Sequence, residues 1–230
     1  MYLGMAKPVE TKLRLAHLIE STVGNTGNDG QTGIEIFARK EEVAPAALQC
    51  IDEILQNALD EARTKSDVTL IEISYDKTLG SITVKNNGQG IPVEPFAGNP
   101  ALGLTPTVVF SRLRTSDKYY REQTQTEMAG GMNGLGAKLT NLSSQWFQVE
   151  VACAKTKRAF KQEWRNCMRD ESAPVIKESK AQTFKGFVRV SFVLDWSSFE
   201  MSAPAVLYNW LACRAIDLAG IVPSSVRVQF

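Results

Sequence analysis

Between Pro45 and Thr64 the apolar side chains Leu48, Ile51, Leu55, Ala58, Leu59 and Ala62 return every three or four positions. At roughly 100° per residue they share one face of a helix, and Glu53, Asn57, Asp60 and Glu61 fall on the other. Proline at the start suits a first turn, where its missing N–H costs nothing. The pattern then shortens to strands over Val68–Tyr75 and Ser81–Lys85, with DKTLG as the turn between them. Further strands are expected near Trp146–Cys153, Arg158–Trp164, Phe184–Leu194 and Val226–Phe230. Short helices are expected near Thr107–Leu113 and Ala137–Ser143, and a longer one over Pro204–Ala219, stopped by Gly220. At the N-terminus, Glu10 to Thr22 reads as a helix, followed by a loop, NTGNDGQT, over Asn25–Thr32.

Several antiparallel strands flanked by helices predict an α+β fold, a two-layer sandwich of a mixed, mostly antiparallel sheet with helices on one face. A dinucleotide-binding doubly wound fold needs regular βαβ alternation, which this chain lacks. The expected organisation is an N-terminal segment with helix and loop (1–36) followed by one domain (37–230). The stretch Asn86–Gly136, dense in Gly, Pro, Thr, Gln and Asn, is too long for an idle connection and reads as cover for a ligand.

Charge adds one exclusion. Lys plus Arg number 26 against 25 Asp plus Glu, so this piece lacks the basic excess of a domain that grips DNA over a wide face. The cysteines Cys50, Cys153, Cys167 and Cys213 lie far apart, and His17 has no ligand cluster around it, which argues against zinc. No apolar run reaches membrane-span length and no secretory signal opens the chain, so an intracellular protein is expected. The basic run KTKRAFK (Lys155–Lys161) reads as a solvated strand face, and the four tryptophans as core or sheet-face residues.

Three motifs carry chemistry. On the long helix, Glu53, Asn57, Ala58 and Asp60 form ExxxNAxD. Periodicity alone would make these the wet side of an amphipathic helix. The residue types, however, suit phosphate chemistry, since a carboxylate can take a proton from water and a neutral amide can ligate a cation beside a triphosphate. Next comes KNNGQGIP, Lys85–Pro92, in which Gly88 and Gly90 let backbone approach a ligand closely. Third is GGMNGLGAKL, Gly130–Leu139, where glycines run into a helix and Lys138 adds a cation. It is no P-loop, because GxxxxGK[ST] is absent.

In this order and at these separations the motifs resemble the ATPase domain of type IIA DNA topoisomerases, in the GHKL (Bergerat-fold) superfamily. NNGxGIP, TPTVVFSRLRTSDKYY (Thr105–Tyr120), FKQEWRNCM and CRAIDLAG are similar to the eukaryotic-type branch, and the likeness runs from about Phe37 to Phe230. The resemblance implies Glu53 as the general base and Asn57 as the ligand to Mg²⁺. It implies ATP contacts at Asn57, Asp60, Asn87, Gly88, Gly90, Ile91, Thr115, Ser116, Gly131, Asn133, Gly134, Leu135, Gly136, Ala137, Lys138 and Ser191. Asn87 would accept from the adenine amine, and Ser191 would support adenine through water. Asp117 and Lys118 depart from the usual Ser-Asn, and Ile19–Gly24 departs from the family's N-terminal turn, so no contact is carried to either place.

In the family a transducer domain with a phosphate-sensing lysine and a DNA-cleavage domain follow. This chain ends at Phe230 before either, which predicts a monomer with slow turnover. The implied partners, double-stranded DNA and a second protomer on ATP binding, belong to the full-length enzyme. The implied place of action is the nucleus, the nucleoid or a viral DNA-replication site. Other GHKL ATPases, of the chaperone or mismatch-repair type, and a non-hydrolysing nucleotide-binding fragment are the alternatives.

Overall fold

A computed structural model describes residues 7–20, 32–112 and 135–230. Its main sheet has eight strands: β3 (Leu70–Asp76), β4 (Ser81–Gly88), β5 (Ser144–Cys153), β6 (Arg158–Arg165), β7 (Asp170–Glu171), β8 (Val175–Glu178), β9 (Gly186–Leu194) and β10 (Arg227–Gln229). The order is β10-β3-β4-β9-β5-β6-β7, with β8 also paired to β6. Among the described strands only β10 runs parallel to its neighbour. The expected mixed, mostly antiparallel α+β sandwich is what forms.

Among the described residues lie four α-helices: α1 (Pro45–Thr64), α2 (Thr105–Ser111), α3 (Gly136–Leu142) and α4 (Leu207–Ala219). α1 buries Leu48, Ile51, Leu55, Ala58, Leu59 and Ala62, the stripe its periodicity announces, together with Ala47, Cys50 and Ile54. On the sheet, Phe147 sits at the middle of an aromatic cluster, with ring centroids 6.3 Å from Phe110, 6.1 Å from Trp164 and 6.2 Å from Phe192. Fully burying one such ring stabilises the fold by about 1.5–3 kcal/mol, so this cluster anchors the helical layer on the sheet.

Polar ties set the helices against one another. Thr140 of α3 donates to the Cys50 carbonyl of α1 at 2.7 Å, and Asn141 donates to the Phe110 carbonyl of α2 at 3.0 Å. Arg112, at the end of α2, grips Glu171 with two bonds of 2.6 and 2.9 Å. That guanidinium holds the Glu171 carboxyl below the usual carboxylate range.

The N-terminal reading needs correction. Residues 9–20 are not helical; they form strand β1 (Val9–Glu20), paired antiparallel along its whole length with β2 (Thr32–Val43). The boundary drawn at residue 37 falls inside β2, so the hairpin straddles it. Leu13 and Leu15 are buried whereas Lys12 and Arg14 are not, which is the two-residue period of a strand packed on one face. Local composition could not reveal a partner strand so far along the chain.

The hairpin docks on α4, where Asn209 donates to the Ala16 carbonyl at 3.0 Å. An ionic chain continues inward: Arg14 to Asp217 at 3.2 Å, Asp217 to Arg214 at 3.1 Å, and Arg214 to Asp52 of α1 at 2.7 Å. Burial pushes the Asp52 carboxyl up, against the pull of Arg214. The short strands β7 and β8 were also absent from the sequence reading, being two and four residues long and exposed. The expected loop at Asn25–Thr32 lies outside the described residues except for Thr32, which opens β2.

Candidate active site

α1 presents Glu53 and Asn57 one turn apart, both half-buried. Gln49, a turn earlier, donates from Nε2 to Glu53 Oε1 at 2.8 Å. The other oxygen, Oε2, lies against Gly136 at the start of α3. A Cβ at residue 136 would sit 2.0 Å from Oε2 and 2.7 Å from Cδ. Gly136 is therefore the gap that Glu53 occupies. The first and third motifs, some eighty residues apart in sequence, meet at this contact.

Around it, Leu135 is partly exposed, and Ala137 is buried. Lys138 is buried at 4% exposure, and desolvation pushes its ammonium below the ordinary lysine range. Asp60, a turn beyond Asn57, accepts from Gln56 at 2.8 Å. Cys50 lies under this region, its thiol pushed up to about 11 by burial, and is an inert core group.

The second motif is held by tight packing. Gly90 has φ +73°, and a Cβ there would lie 2.0 Å from the Ala152 carbonyl oxygen. Gly88, at φ +126°, also takes a backbone conformation that other residues avoid. Ile91, just beyond, packs partly buried against the core.

The strand carrying this motif decides which asparagine faces the helices. Ile82 and Val84 of β4 point into the core, and Asn86 has their parity; it is 8% exposed. Its Nδ2 donates to the Asn87 carbonyl at 3.1 Å. Asn87 points the other way. Its Oδ1 accepts from the backbone N–H groups of Thr69 and Leu70 at 2.8 and 2.9 Å, and its Nδ2 donates to Thr69 Oγ1 at 2.8 Å. That side chain ties β4 to the start of β3 and has no acceptor to offer adenine on the inner face.

Ser191 is likewise on the outer face. Val190 and Phe192 on either side of it are core residues, and Ser191 Oγ meets Thr83 Oγ1 at 2.8 Å. It lines an open polar depression with Thr83, Lys85, Glu72, Glu150 and Arg189. The charges there are already matched, Lys85 with Glu72 and Arg189 with Glu150. The β9 residue that faces inward opposite Asn86 is Val188, paired with it in register and packed on the core.

The structure thus brings together Glu53, Asn57, Gly136, Ala137 and Lys138 in the helical layer, with Asn86 and Val188 on the sheet beneath. Asn87 and Ser191 stand apart from this group. Thr115, Ser116, Gly131, Asn133 and Gly134 lie outside the described residues. Asn86, Val188 and Gln49 are not singled out by the motifs; strand parity places the first two inward, counted from Ile82 and Val84 on β4 and from Val190 and Phe192 on β9.

Comparison with known proteins gives the family. The chain belongs to the Histidine kinase-, DNA gyrase B-, and HSP90-like ATPase family, which it matches over residues 42–190. A nucleotide-binding role follows from that membership. Within the family its likeness is to type II DNA topoisomerases. It is 36% identical over 183 residues to chicken (Gallus gallus) DNA topoisomerase 2-beta, covering 79% of this chain and 11% of that protein. A putative mitochondrial DNA topoisomerase 2 of Caenorhabditis elegans is 33% identical over 196 residues, 84% of this chain and 16% of that protein. The chain therefore spans a small part of these relatives' length.

Among solved structures, the ATPase region of Saccharomyces cerevisiae topoisomerase II bound to ICRF-187 superposes with a TM-score of 0.79 at 26% identity. That match covers 99% of this chain and 55% of the yeast one. The ATPase and transducer domains of Balamuthia mandrillaris topoisomerase II give a TM-score of 0.76 at 27% identity, with the same coverage. Among the described residues no helix is long and apolar enough to cross a membrane.

Proposed function

We propose that the chain is the ATP-binding and ATP-hydrolysing domain of a type II DNA topoisomerase, and that its nucleotide lies between α1, α3 and the inner face of β4 and β9. The observation that carries this reading is the fixed carboxylate of Glu53, seated in the gap at Gly136 and one turn from Asn57. Adenine is read by the inward amide of Asn86, whose oxygen accepts from the exocyclic amine, with Val188 and Ile91 as apolar walls. Glu53 orients the attacking water and takes its proton; catalysis rests on positioning and charge.

Magnesium suits this donor set. The described residues hold no cluster of three or more His, Cys, Asp or Glu that would cage a metal alone. An ion here would take Asn57 as a neutral protein ligand and complete its shell with phosphate and water oxygens. Bound with the nucleotide, it supplies charge neutralisation on the phosphates. In the longer enzyme the cycle would serve dimerisation around double-stranded DNA, in the nucleus or nucleoid, and the isolated domain would be a monomer with slow turnover. The near-neutral net charge of +1 fits a module that leaves most DNA contact to other domains.

The two adjacent asparagines test this assignment. Asn86→Ala is expected to weaken binding of a non-hydrolysable ATP analogue about tenfold or more, the worth of one buried hydrogen bond lost from the base. Asn87→Ala should leave that affinity alone and lower unfolding stability by about 1 kcal/mol, because two backbone N–H groups lose their acceptor. Calorimetric titration and thermal melts read both. The opposite pattern, with affinity lost at Asn87 and kept at Asn86, overturns the placement of the nucleotide.

A further inference from the structure

Glu53 has three rotatable side-chain bonds to order, and a base that drifts loses its alignment with water. Two neighbours prevent that drift. Gly136 closes one side, in contact with Oε2, while Gln49 Nε2 donates to Oε1 at 2.8 Å. Gln49 is exposed on α1 and belongs to no apolar cluster, so packing does not explain its side-chain position. Its spacing of four residues is the helical interval at which side chains meet. Chemically it is a neutral donor. It can hold a carboxylate oxygen in place without bringing a positive charge that would oppose proton uptake.

From this contact we propose that Gln49 is a positioning residue for hydrolysis: it fixes the rotamer of Glu53 by tying down Oε1, which leaves Oε2, held beside Gly136, as the oxygen that takes the proton. The inference rests on the reading of Glu53 as the base. It assigns no nucleotide contact to Gln49, so its loss acts on the chemical step and not on binding.

The test replaces Gln49 with methionine, which keeps the length and the helical preference and removes the donor. Gln49→Met is expected to lower kcat for ATP about tenfold, as modest misplacement of a base does, with KM, analogue affinity and melting temperature unchanged. An unchanged kcat overturns the proposal. So does a loss shared equally by binding and melting temperature, which marks a merely structural role. Glu53→Gln runs alongside: if it too keeps the full rate, the base assignment is what has failed. Where turnover is too slow to time, crystals of Gln49→Met with the analogue decide the matter. A Glu53 side chain displaced from its wild-type rotamer supports the proposal, and one left in place overturns it.

Discussion

Glu53→Gln is expected to abolish ATP hydrolysis while leaving nucleotide binding intact. The replacement has the same shape, and its amide oxygen can still accept the 2.8 Å bond that Gln49 gives to Glu53. What it cannot do is take a proton from water. General-base catalysis contributes about 10²–10⁴-fold, so phosphate release should fall by that order while analogue affinity stays where it was. Comparison of a phosphate-release assay with an equilibrium titration separates the two. A variant that hydrolyses at the wild-type rate would show that this carboxylate, despite its place in the motif, is not the base.

Gly136→Ala should cost nearly as much activity by a different route. The added methyl group would meet Glu53 Oε2 at 2.0 Å, Cδ at 2.7 Å and Cβ at 3.0 Å. Oε2 and Cδ belong to the part of the side chain that can swing away, whereas Cβ is fixed by the backbone and asks only a few tenths of an ångström of the helix, so the collision mainly moves the carboxylate. Misplacing a reacting group by about 1 Å can cost some 10²-fold in rate. Stability should not fall much, since alanine is no worse a helix former than glycine. The expected result is therefore a folded protein with an unchanged melting temperature and little hydrolysis. Unfolding, or a retained rate, would mean that residue 136 and Glu53 are not in the contact described.

Helix α1 was legible because everything that defines it is local. Its apolar stripe, its proline start and its ExxxNAxD motif all lie within one window, and the structure keeps its bounds at Pro45–Thr64. The sheet was legible for the same reason wherever a strand alternates cleanly. The hairpin of β1 and β2 was not, because Leu13, Ala16 and His17 also satisfy a helical spacing and only the distant partner strand settles the choice.

The pair Asn86 and Asn87 is more instructive. Two identical residues stand side by side, and the motif alone does not say which points inward. Counting parity from Ile82 and Val84 selects Asn86. The same count along β9 from Val190 and Phe192 puts Ser191 outside and Val188 inside. Ser191, matched by motif position alone, carries no information about sheet face, and its hydroxyl lies with Thr83 on the side away from the helices.

The central claim is that the nucleotide binds on the inner side of the sheet, against the helices. Titrating the isotope-labelled protein with a non-hydrolysable ATP analogue and magnesium, followed by amide and side-chain NMR, tests it most directly. Saturable shifts at Glu53, Asn57, Asn86, Gly136 and Val188, with Thr83 and Ser191 unmoved, are the predicted result. Shifts confined to Thr83, Lys85, Arg189 and Ser191 on the outer face, or no shifts at all, would contradict it.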